Sequence, residues 1–327
     1  MNNISYEQIE KDLKSIPFGK TLEITTLNGK ETRVLKPFEK NGKCKIENFK
    51  LYNGITLSFS EYLAEETSHK HNFDQNFLEI NYCTSGRAGW KTNDNKTIYL
   101  GLGDFAVHTK QLCAASVITF PNGYYSGITI FIDTKKQTPY TPELVSEANI
   151  SLKSLMEKLC PNGGFTTITG NEENKALFDG FLNISKNLCV PYFKLKTQEI
   201  IFYLYTLKTT EKSNTSGCAP EQIELIKEIH SKLVENLNKR ITIEELSSNY
   251  PINPSSMKKL FKAVYGNSIA AHMKEHRMEK AAQMLRESGE SILQIANSVG
   301  YDSQSKFSSE FKKLYNMLPS EYRKLHI

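Results

Sequence analysis

The sequence predicts an α+β fold: a β-barrel or jelly roll with a following helical hairpin, then an all-α domain of two helix-turn-helix units joined by a linker helix. Short β-type runs split by turn residues fill the stretch from Cys44 to Asp133. From Glu143 onward the apolar residues recur at helical spacing, and in the last third one helix-turn-helix pattern occurs twice. We therefore predict a first domain over residues 1–207, a linker over 208–220 and a helical domain over 221–327.

The first domain is predicted to begin with a helix and a hairpin before its barrel strands. Residues 6–13 have an amphipathic pattern, and residues 22–34 alternate around Asn28-Gly29, a dipeptide that favours a tight hairpin turn. Strands are predicted at residues 55–59, 77–82, 88–91, 97–100, 105–108, 116–120 and 127–132. Seven short strands at close spacing indicate a small barrel or a two-sheeted jelly roll.

Three helices are predicted after the strands, at residues 144–159, 172–188 and 193–207. The last two carry broad apolar faces that must be buried. These faces could cover the barrel or pair with a second copy of the chain, and the sequence favours neither. The stretch 208–220 is polar, rich in Gly, Ser and Thr, and without periodicity, which is typical of a linker.

Each copy of the repeated pattern has start and stop signals for two helices. N-cap residues are predicted at Thr242, Asn253, Ser291 and Ser303, and the first and third of these have the Glu or Gln of a capping box three residues later. Pro251 and Gly300 end the first helix of each copy. A helix over about residues 219–237 precedes the repeat, and an apolar-striped helix over about 268–285 joins the copies.

Composition limits the classes of protein. The chain has 327 residues, enough for two cores, and a formal net charge of +5; residues 219–327 contain 16 Lys and Arg against 13 Asp and Glu. No apolar run approaches the ~20 residues of a membrane span, and the N-terminus does not resemble a secretory signal. The six cysteines lack C-x-x-C spacing, which indicates reduced thiols. We expect a cytoplasmic protein with no membrane partner.

The second copy of the repeat contains I-A, V-G-Y, S-x-S-x-F, F-K-K and a closing P-x-x-Y-R, within IANSVGYDSQSKFSSEFKKLYNMLPSEYRK. In these residues it resembles the AraC/XylS family of transcriptional regulators. The resemblance covers about a third of the chain. Leu318 departs from the pattern, because a small polar residue is usual before the proline that here is Pro319.

The resemblance implies a sequence-specific DNA-binding regulator, not an enzyme, with no cofactor and no bound metal. Its expected partners are double-stranded DNA, a small-molecule effector, RNA polymerase and a second copy in a homodimer. Both activation and repression stay open as outputs.

The resemblance also assigns DNA contacts by position. The base-facing positions of the family correspond to Ser255, Lys258 and Lys259 in the first copy and to Gln304, Ser305, Ser308 and Ser309 in the second. Lys can donate to guanine and Gln can bond adenine through two hydrogen bonds. Lys262, Lys306 and Lys312 are placed to contact phosphates, which fixes the register of a protein on DNA without reading sequence.

The turn at residues 101–105, Gly-Leu-Gly-Asp-Phe, is similar to Gly-Asp turns in the cupin-like sensor domains of this family. A cupin-like sensor domain is therefore expected. Candidate effector-binding residues, all equally suited to core packing, are Tyr82, Arg87, Trp90, Tyr99, Phe105, His108, Phe120 and Tyr124. A faint similarity of residues 77–109 to the siderophore-responsive branch leaves a ferric siderophore open, and a fatty acid or another apolar ligand is the alternative.

An alternative function is a metal-dependent cupin enzyme or metal sensor fused to a DNA-binding module. His69, His71, Glu79 and His108 are similar to the cupin ligand pattern of H-x-H, a carboxylate and a third histidine, which can bind Fe, Mn or Zn. The spacing departs from that pattern, since seven residues separate His71 from Glu79. The sequence favours a polar rim at the barrel mouth over a metal site.

Overall fold

The computed structural model describes residues 6–38, 40–68, 76–109, 117–135, 142–161, 164–182, 184, 188–207, 217–239 and 241–326. The contacts between residues divide the chain into two compact units, Met1–Gly217 and Cys218–Ile327. The first is rich in sheet and the second is helical. The sequence predicted this α+β architecture and this order of parts.

The sheet unit begins with helix α1 (Tyr6–Asp12) and contains eleven described strands. They are β1 (Lys20–Leu27), β2 (Lys30–Pro37), β3 (Gly42–Tyr52), β4 (Ile55–Ala64), β5 (Glu66–Ser68), β6 (Phe77–Lys91), β7 (Thr97–Gly101), β8 (Phe105–Thr109), β9 (Val117–Thr119), β10 (Tyr124–Asp133) and β11 (Phe165–Ile168). The predicted hairpin is confirmed, because β1 pairs with β2 around Asn28 and Gly29, whose φ angles of 50° and 77° suit a type I′ turn.

Of the predicted barrel or jelly roll, the barrel does not close within the described residues. The strand order β11-β8-β6-β10-β4-β3-β1-β2 is an open path that ends at β2 on one side and β11 on the other. Every residue of β2 is exposed, and no strand among the described residues closes this edge. Strand β3 has no counterpart among the predicted strands, which begin at residue 55, and β11 was missed for its short length.

Four described helices follow β10, with β11 between the second and the third: α2 (Glu143–Glu147), α3 (Leu152–Leu159), α4 (Glu172–Asp179) and α5 (Cys189–Thr206). The single helix predicted over residues 144–159 is wrong, because the chain breaks at Asn149, whose φ of 54° is left-handed, and restarts with Ser151 as N-cap. The helix predicted to reach residue 188 ends at Asp179. The apolar faces of α2–α5 pack on the sheet, forming one core with Ile80, Ile130 and their neighbours.

Alternation along the strands places a second apolar cluster on the opposite face of the sheet. Tyr82 and Phe105 face the helices, whereas the adjacent Cys83 and Ala106 belong to the other cluster. That cluster also contains Trp90, Phe120 and Tyr125. Both faces of the central strands are therefore buried.

The helical unit contains α6 (Pro220–Glu235), α7 (Ile243–Asn249), α8 (Pro254–Tyr265), α9 (Ile269–Glu287), α10 (Ile292–Ser298), α11 (Gln304–Tyr315) and α12 (Pro319–His326). All four predicted N-caps are confirmed, and Thr242 and Ser291 form complete capping boxes with Glu245 and Gln294. Gly300 follows α10 with a φ of 81°, as expected for a residue that ends a helix.

The five described cysteines, Cys44, Cys83, Cys160, Cys189 and Cys218, are free thiols. Among the helices that the structure describes, none is long and apolar enough to cross a membrane.

Candidate nucleic-acid interface

Helix α8 is the second helix of the first helix-turn-helix unit and is anchored by one apolar face. Met257 and Phe261 are fully buried, and Asn253 caps the helix by accepting a hydrogen bond from the amide of Ser256. The exposed face carries the four residues predicted to contact DNA, namely Ser255, Lys258, Lys259 and Lys262. Their spacing of three, four and seven residues places them on one side of the helix.

Helix α11 repeats this arrangement in the second unit. Phe307 and Phe311 are fully buried, and Ser303 caps the helix. Gln304, Ser305, Lys306, Ser309 and Lys312 are exposed, and Ser308 is half-buried. When Phe261 is aligned with Phe311, Ser255, Lys258, Lys259 and Lys262 correspond to Ser305, Ser308, Ser309 and Lys312. The two recognition faces therefore share a geometry but differ in chemistry, since two lysines of the first become serines in the second.

The lysines on these faces are exposed. Within the described part of the chain, Lys258, Lys259, Lys262, Lys306 and Lys312 form no ion pair. Lys313, next in sequence, pairs instead with Glu310 at an Nζ–Oε1 distance of 2.6 Å. Unpaired, exposed ammonium groups are available to phosphate oxygens without first breaking an internal contact.

Helix α9 is one continuous helix that joins the two helix-turn-helix units. Ser268 caps it, and its 19 residues correspond to a length of about 28 Å. Its C-terminal half packs in the core of the second helix-turn-helix unit through Met278, Ala281, Ala282 and Leu285. The relative position of the recognition helices is therefore set by a rigid element.

The family-signature residues Pro319, Tyr322 and Arg323 act in packing. Tyr322 is 3% exposed and packs edge-on against Phe311, and its hydroxyl accepts a hydrogen bond from Arg286 at 2.6 Å. Arg323 donates to the carbonyl of Glu290 at 2.6 Å. The amide of Leu318, the position that departs from the signature, donates to Glu321 Oε2 at 2.7 Å. A leucine therefore still permits the helix-start contact made by Glu321.

The predicted effector-binding residues lie in separate parts of the sheet unit. Tyr82 stacks on Phe178 at 4.1 Å on the helix-covered face, which also holds Phe105. Trp90 and Phe120 belong to the opposite cluster. Elsewhere in the unit, Arg87 lies over the ring of Tyr99 at 5.8 Å, His108 stacks on Phe165 at 5.0 Å, and Tyr124 is edge-on to Tyr6 at 5.5 Å. The structure does not gather these side chains into one site.

A row of polar side chains, missed by the sequence analysis, crosses the sheet on the face opposite the helices. Asn48, Ser58, Thr129 and Asn81 are successive cross-strand partners on β3, β4, β10 and β6; we call them the polar row. Thr129 donates to Asn81 Oδ1 at 2.8 Å, and Ser58 donates to Asn48. Alternating polar residues normally mark a solvent face, which is why the pattern gave no sign of burial.

One end of the polar row opens into a cleft of about 400 Å³. Its lining residues are Glu23, Thr25, Asn48, Lys50, Thr56, Ser58, Phe77 and Phe131. The carboxylate of Glu23 accepts a hydrogen bond from Asn48 at 3.2 Å. The lining combines hydroxyls, an amide and both charge signs with the rings of two phenylalanines.

The cupin-like metal pattern is only partly within the described residues, since His69 and His71 lie outside them. His108 Nε2 is 3.8 Å from Glu79 Oε2 and 2.8 Å from Asn81 Nδ2. The Asn81 amide therefore engages the ring nitrogen that faces Glu79.

Comparisons with known proteins match the helical unit. A helix-turn-helix domain family matches residues 246–325. The multiple antibiotic resistance protein MarA of Salmonella typhimurium is 31% identical over 98 residues, which are 29% of this chain and 77% of MarA. The regulator AlkR of Acinetobacter baylyi is 35% identical over 82 residues, 25% of this chain and 27% of AlkR. A putative AraC-like transcription regulator of Streptomyces lividans is 36% identical over 83 residues, 25% of this chain and 27% of that protein.

The fold, the duplicated unit and these matches define a helix-turn-helix transcription regulator. The chain belongs to the AraC/XylS family of transcriptional regulators. The match spans about a quarter of the length of AlkR and of the Streptomyces protein, and it lies in the helical unit.

Proposed function

We propose that the protein controls transcription by binding double-stranded DNA through α8 and α11, which enter successive major grooves. The observation that carries this proposal is the pair of recognition faces, equivalent position by position, exposed and bearing unpaired lysines. In this assignment Ser255, Lys258 and Lys259 on α8 and Gln304, Ser305, Ser308 and Ser309 on α11 face bases. Lys262, Lys306 and Lys312 contact phosphates. The role is regulatory rather than catalytic.

The length of α9 supports the two-groove geometry. Successive major grooves on one face of DNA are about 34 Å apart. A rod of about 28 Å is of the right order to hold two recognition helices at that separation. A flexible connection would instead lose binding energy in ordering the second unit.

The salt dependence of DNA affinity tests the proposal. The full-length chain is used with duplex DNA that it enriches from a random pool, and Kd is measured by fluorescence anisotropy over a range of salt concentrations. A plot of log Kd against the logarithm of the salt concentration has a slope that counts phosphate contacts. Lys262→Ala and Lys312→Ala should each reduce the magnitude of that slope by about 0.9, the value for one phosphate contact. Lys227→Ala is the matched control, because Lys227 is an exposed lysine of α6, outside the two recognition helices, and is paired with Glu224 at 2.9 Å. Equal slopes in all variants would refute the proposed interface.

The proposal extends to the sheet unit, where a small polar effector binds in the cleft beside the polar row. The support is the cleft itself, with hydroxyl, amide and oppositely charged side chains. Effector and DNA are coupled only if both prefer the same conformation of the chain. Homodimerisation and recruitment of RNA polymerase remain predictions from the family.

Native mass spectrometry of the full-length chain purified from its own host tests the effector proposal. A retained organic mass should be present in wild type and absent in Lys50→Gln, because Lys50 is exposed at the cleft wall. Lys30→Gln on the exposed strand β2 is the control and should retain the mass. Retention in both variants would place the ligand elsewhere, for example among the aromatic residues from Tyr82 to Phe120 named from the sequence.

A further inference from the structure

Three histidines of the helical unit point their ring nitrogens at one another. His230 lies on α6, and His272 and His276 lie one turn apart on α9. The Nε2–Nε2 distances are 3.0 Å for His230–His272, 3.1 Å for His272–His276 and 3.4 Å for His230–His276. His272 is buried and the other two are half-buried. The recognition faces on α8 and α11 do not include these residues.

Hydrogen bonding among the rings does not satisfy this triangle. In a neutral imidazole, Nε2 is either a donor or an acceptor. With three such atoms in mutual contact, at least two must be of the same kind, so at least one edge of the triangle is unfavourable. A cation at the centre removes the conflict, because all three nitrogens then direct lone pairs toward it.

The distances match those of a metal site. Zn²⁺ binds histidine nitrogen at about 2.0–2.1 Å in tetrahedral geometry, which separates two ligand nitrogens by about 3.3 Å. The three observed separations of 3.0–3.4 Å bracket that value. Three imidazoles with a fourth position left open form a donor set suited to Zn²⁺ and to its first-row neighbours.

Surrounding side chains hold the rings in this orientation. Glu279 Oε2 lies 3.5 Å from His276 Nδ1, the carboxylate–histidine arrangement that directs the other ring nitrogen toward a metal. Tyr265 of α8 stacks on His230 at 4.3 Å and packs against His272 at 4.8 Å.

We propose that His230, His272 and His276 bind one Zn²⁺ ion, with the fourth coordination position left to water or an external ligand. The site ties α6 to α9 beside Tyr265 of α8, so the ion fixes the first helix-turn-helix unit on the linker helix. Metal binding and folding of this unit are then linked. The regulator's first DNA-reading unit thereby becomes dependent on metal.

Metal content of the full-length chain tests the proposal. Protein stripped with a chelator is reloaded with Zn²⁺, desalted and measured by elemental analysis, and a second sample is loaded with Co²⁺. Wild type should hold one more Zn²⁺ per chain than His276→Gln and should show the visible absorption of tetrahedral Co²⁺. His326→Gln is the control, because His326 lies at the exposed end of α12, bonded to the carbonyl of Tyr322 at 2.8 Å. The His326→Gln variant should hold as much Zn²⁺ per chain as wild type does.

The melting temperature is a second measurement, and it distinguishes the three-histidine site from metal binding elsewhere in the chain. Zn²⁺ should raise the melting temperature of the helical signal in far-UV circular dichroism for wild type and His326→Gln but not for His276→Gln. Because His276 is only half-buried, its variant is expected to fold; should it not, the Co²⁺ spectrum of wild type decides alone. Equal zinc content in wild type and folded His276→Gln would overturn the proposal, since the metal would then be held elsewhere, as by the cysteines. An octahedral Co²⁺ spectrum would also overturn it, since the three nitrogens lie at the separations of a tetrahedral site.

Discussion

Lys274 on α9 and Glu310 on α11 form an ion pair with Nζ and Oε2 2.8 Å apart. Glu310 also pairs with Lys313, at 2.6 Å. This contact joins the linker helix to the second recognition helix outside their shared apolar core. It therefore fixes the orientation of a helix whose exposed side is proposed to meet DNA.

The first prediction concerns the pH dependence of this contact. Hydrogen bonds from Lys274 and Lys313 lower the pKa of Glu310 from 4.5 to about 2, and Tyr301 is the other titratable group beside it. A lowered folded-state pKa contributes stability above pH 4.5 that disappears as the pH falls to about 2. Glu310→Gln should therefore destabilise the helical unit at pH 7 and not at pH 2. Because the group is near the surface, the loss should be about 0.5–1 kcal/mol.

Far-UV circular dichroism follows that transition, whereas fluorescence of Trp90, the single tryptophan, reports the sheet unit. Combining Glu310→Gln with Lys274→Ala gives a double-mutant cycle that isolates the pair. A destabilisation that stays constant from pH 7 to pH 2 would show that the carboxylate charge is not the cause.

The second prediction concerns the capping box at the start of α7. Thr242 Oγ1 accepts from the Glu245 amide at 3.2 Å, and Glu245 Oε2 accepts from the Thr242 amide at 2.7 Å. Thr242→Ala removes the first bond and should destabilise the helical unit by about 1 kcal/mol in urea unfolding. Ser247→Ala, which alters an exposed hydroxyl within the same helix, should stay within about 0.5 kcal/mol of wild type. If Thr242→Ala and Ser247→Ala changed the free energy of unfolding equally, the capping box would have no special role in stability.

The success of the sequence analysis in the helical unit has a local cause. Caps, helix stops and apolar spacing are short-range signals, and Thr242, Asn253, Ser291, Ser303 and Gly300 all have the predicted roles. In the sheet unit the same signals failed where the outcome depended on distant partners. The open sheet edge, strand β11 and the break at Asn149 are set by tertiary pairing and by one left-handed residue.

The candidate sites show the same limit. The recognition faces could be predicted because their residues lie within single helices. The polar row needs four strands in register, and the three-histidine cluster needs α6 packed on α9. His272 and His276 lie within the linker helix that the sequence predicted over residues 268–285. Their spacing of four residues was the available signal, but His230 lies too far away in sequence to be joined to them.

The third prediction is that residues 218–327 fold alone. The fragment contains its own buried residues, from Ile226 and Phe261 in the first half to Leu285 and Phe311 in the second. It should show cooperative loss of helical circular dichroism on heating and bind duplex DNA with strong salt dependence. An unfolded fragment would mean that the helical unit needs the sheet unit for stability, and the predicted linker at 208–220 would not separate two domains.

The last prediction concerns base reading. Lys259 and Gln304 are exposed on the two recognition faces, and each is assigned a base contact worth about 1–3 kcal/mol of discrimination. The double variant Lys259→Ala/Gln304→Ala should therefore bind the enriched duplex and random DNA with more similar Kd values. The ratio of the Kd for random DNA to the Kd for the enriched duplex should fall at least tenfold. Lys262→Ala is the matched control, because loss of a phosphate contact weakens both complexes alike and leaves the ratio unchanged. Competition binding at one fixed salt concentration measures both ratios. A ratio that falls for Lys262→Ala but not for the double variant would exchange the two assignments, since the lysine placed on phosphate would then be the one that reads sequence.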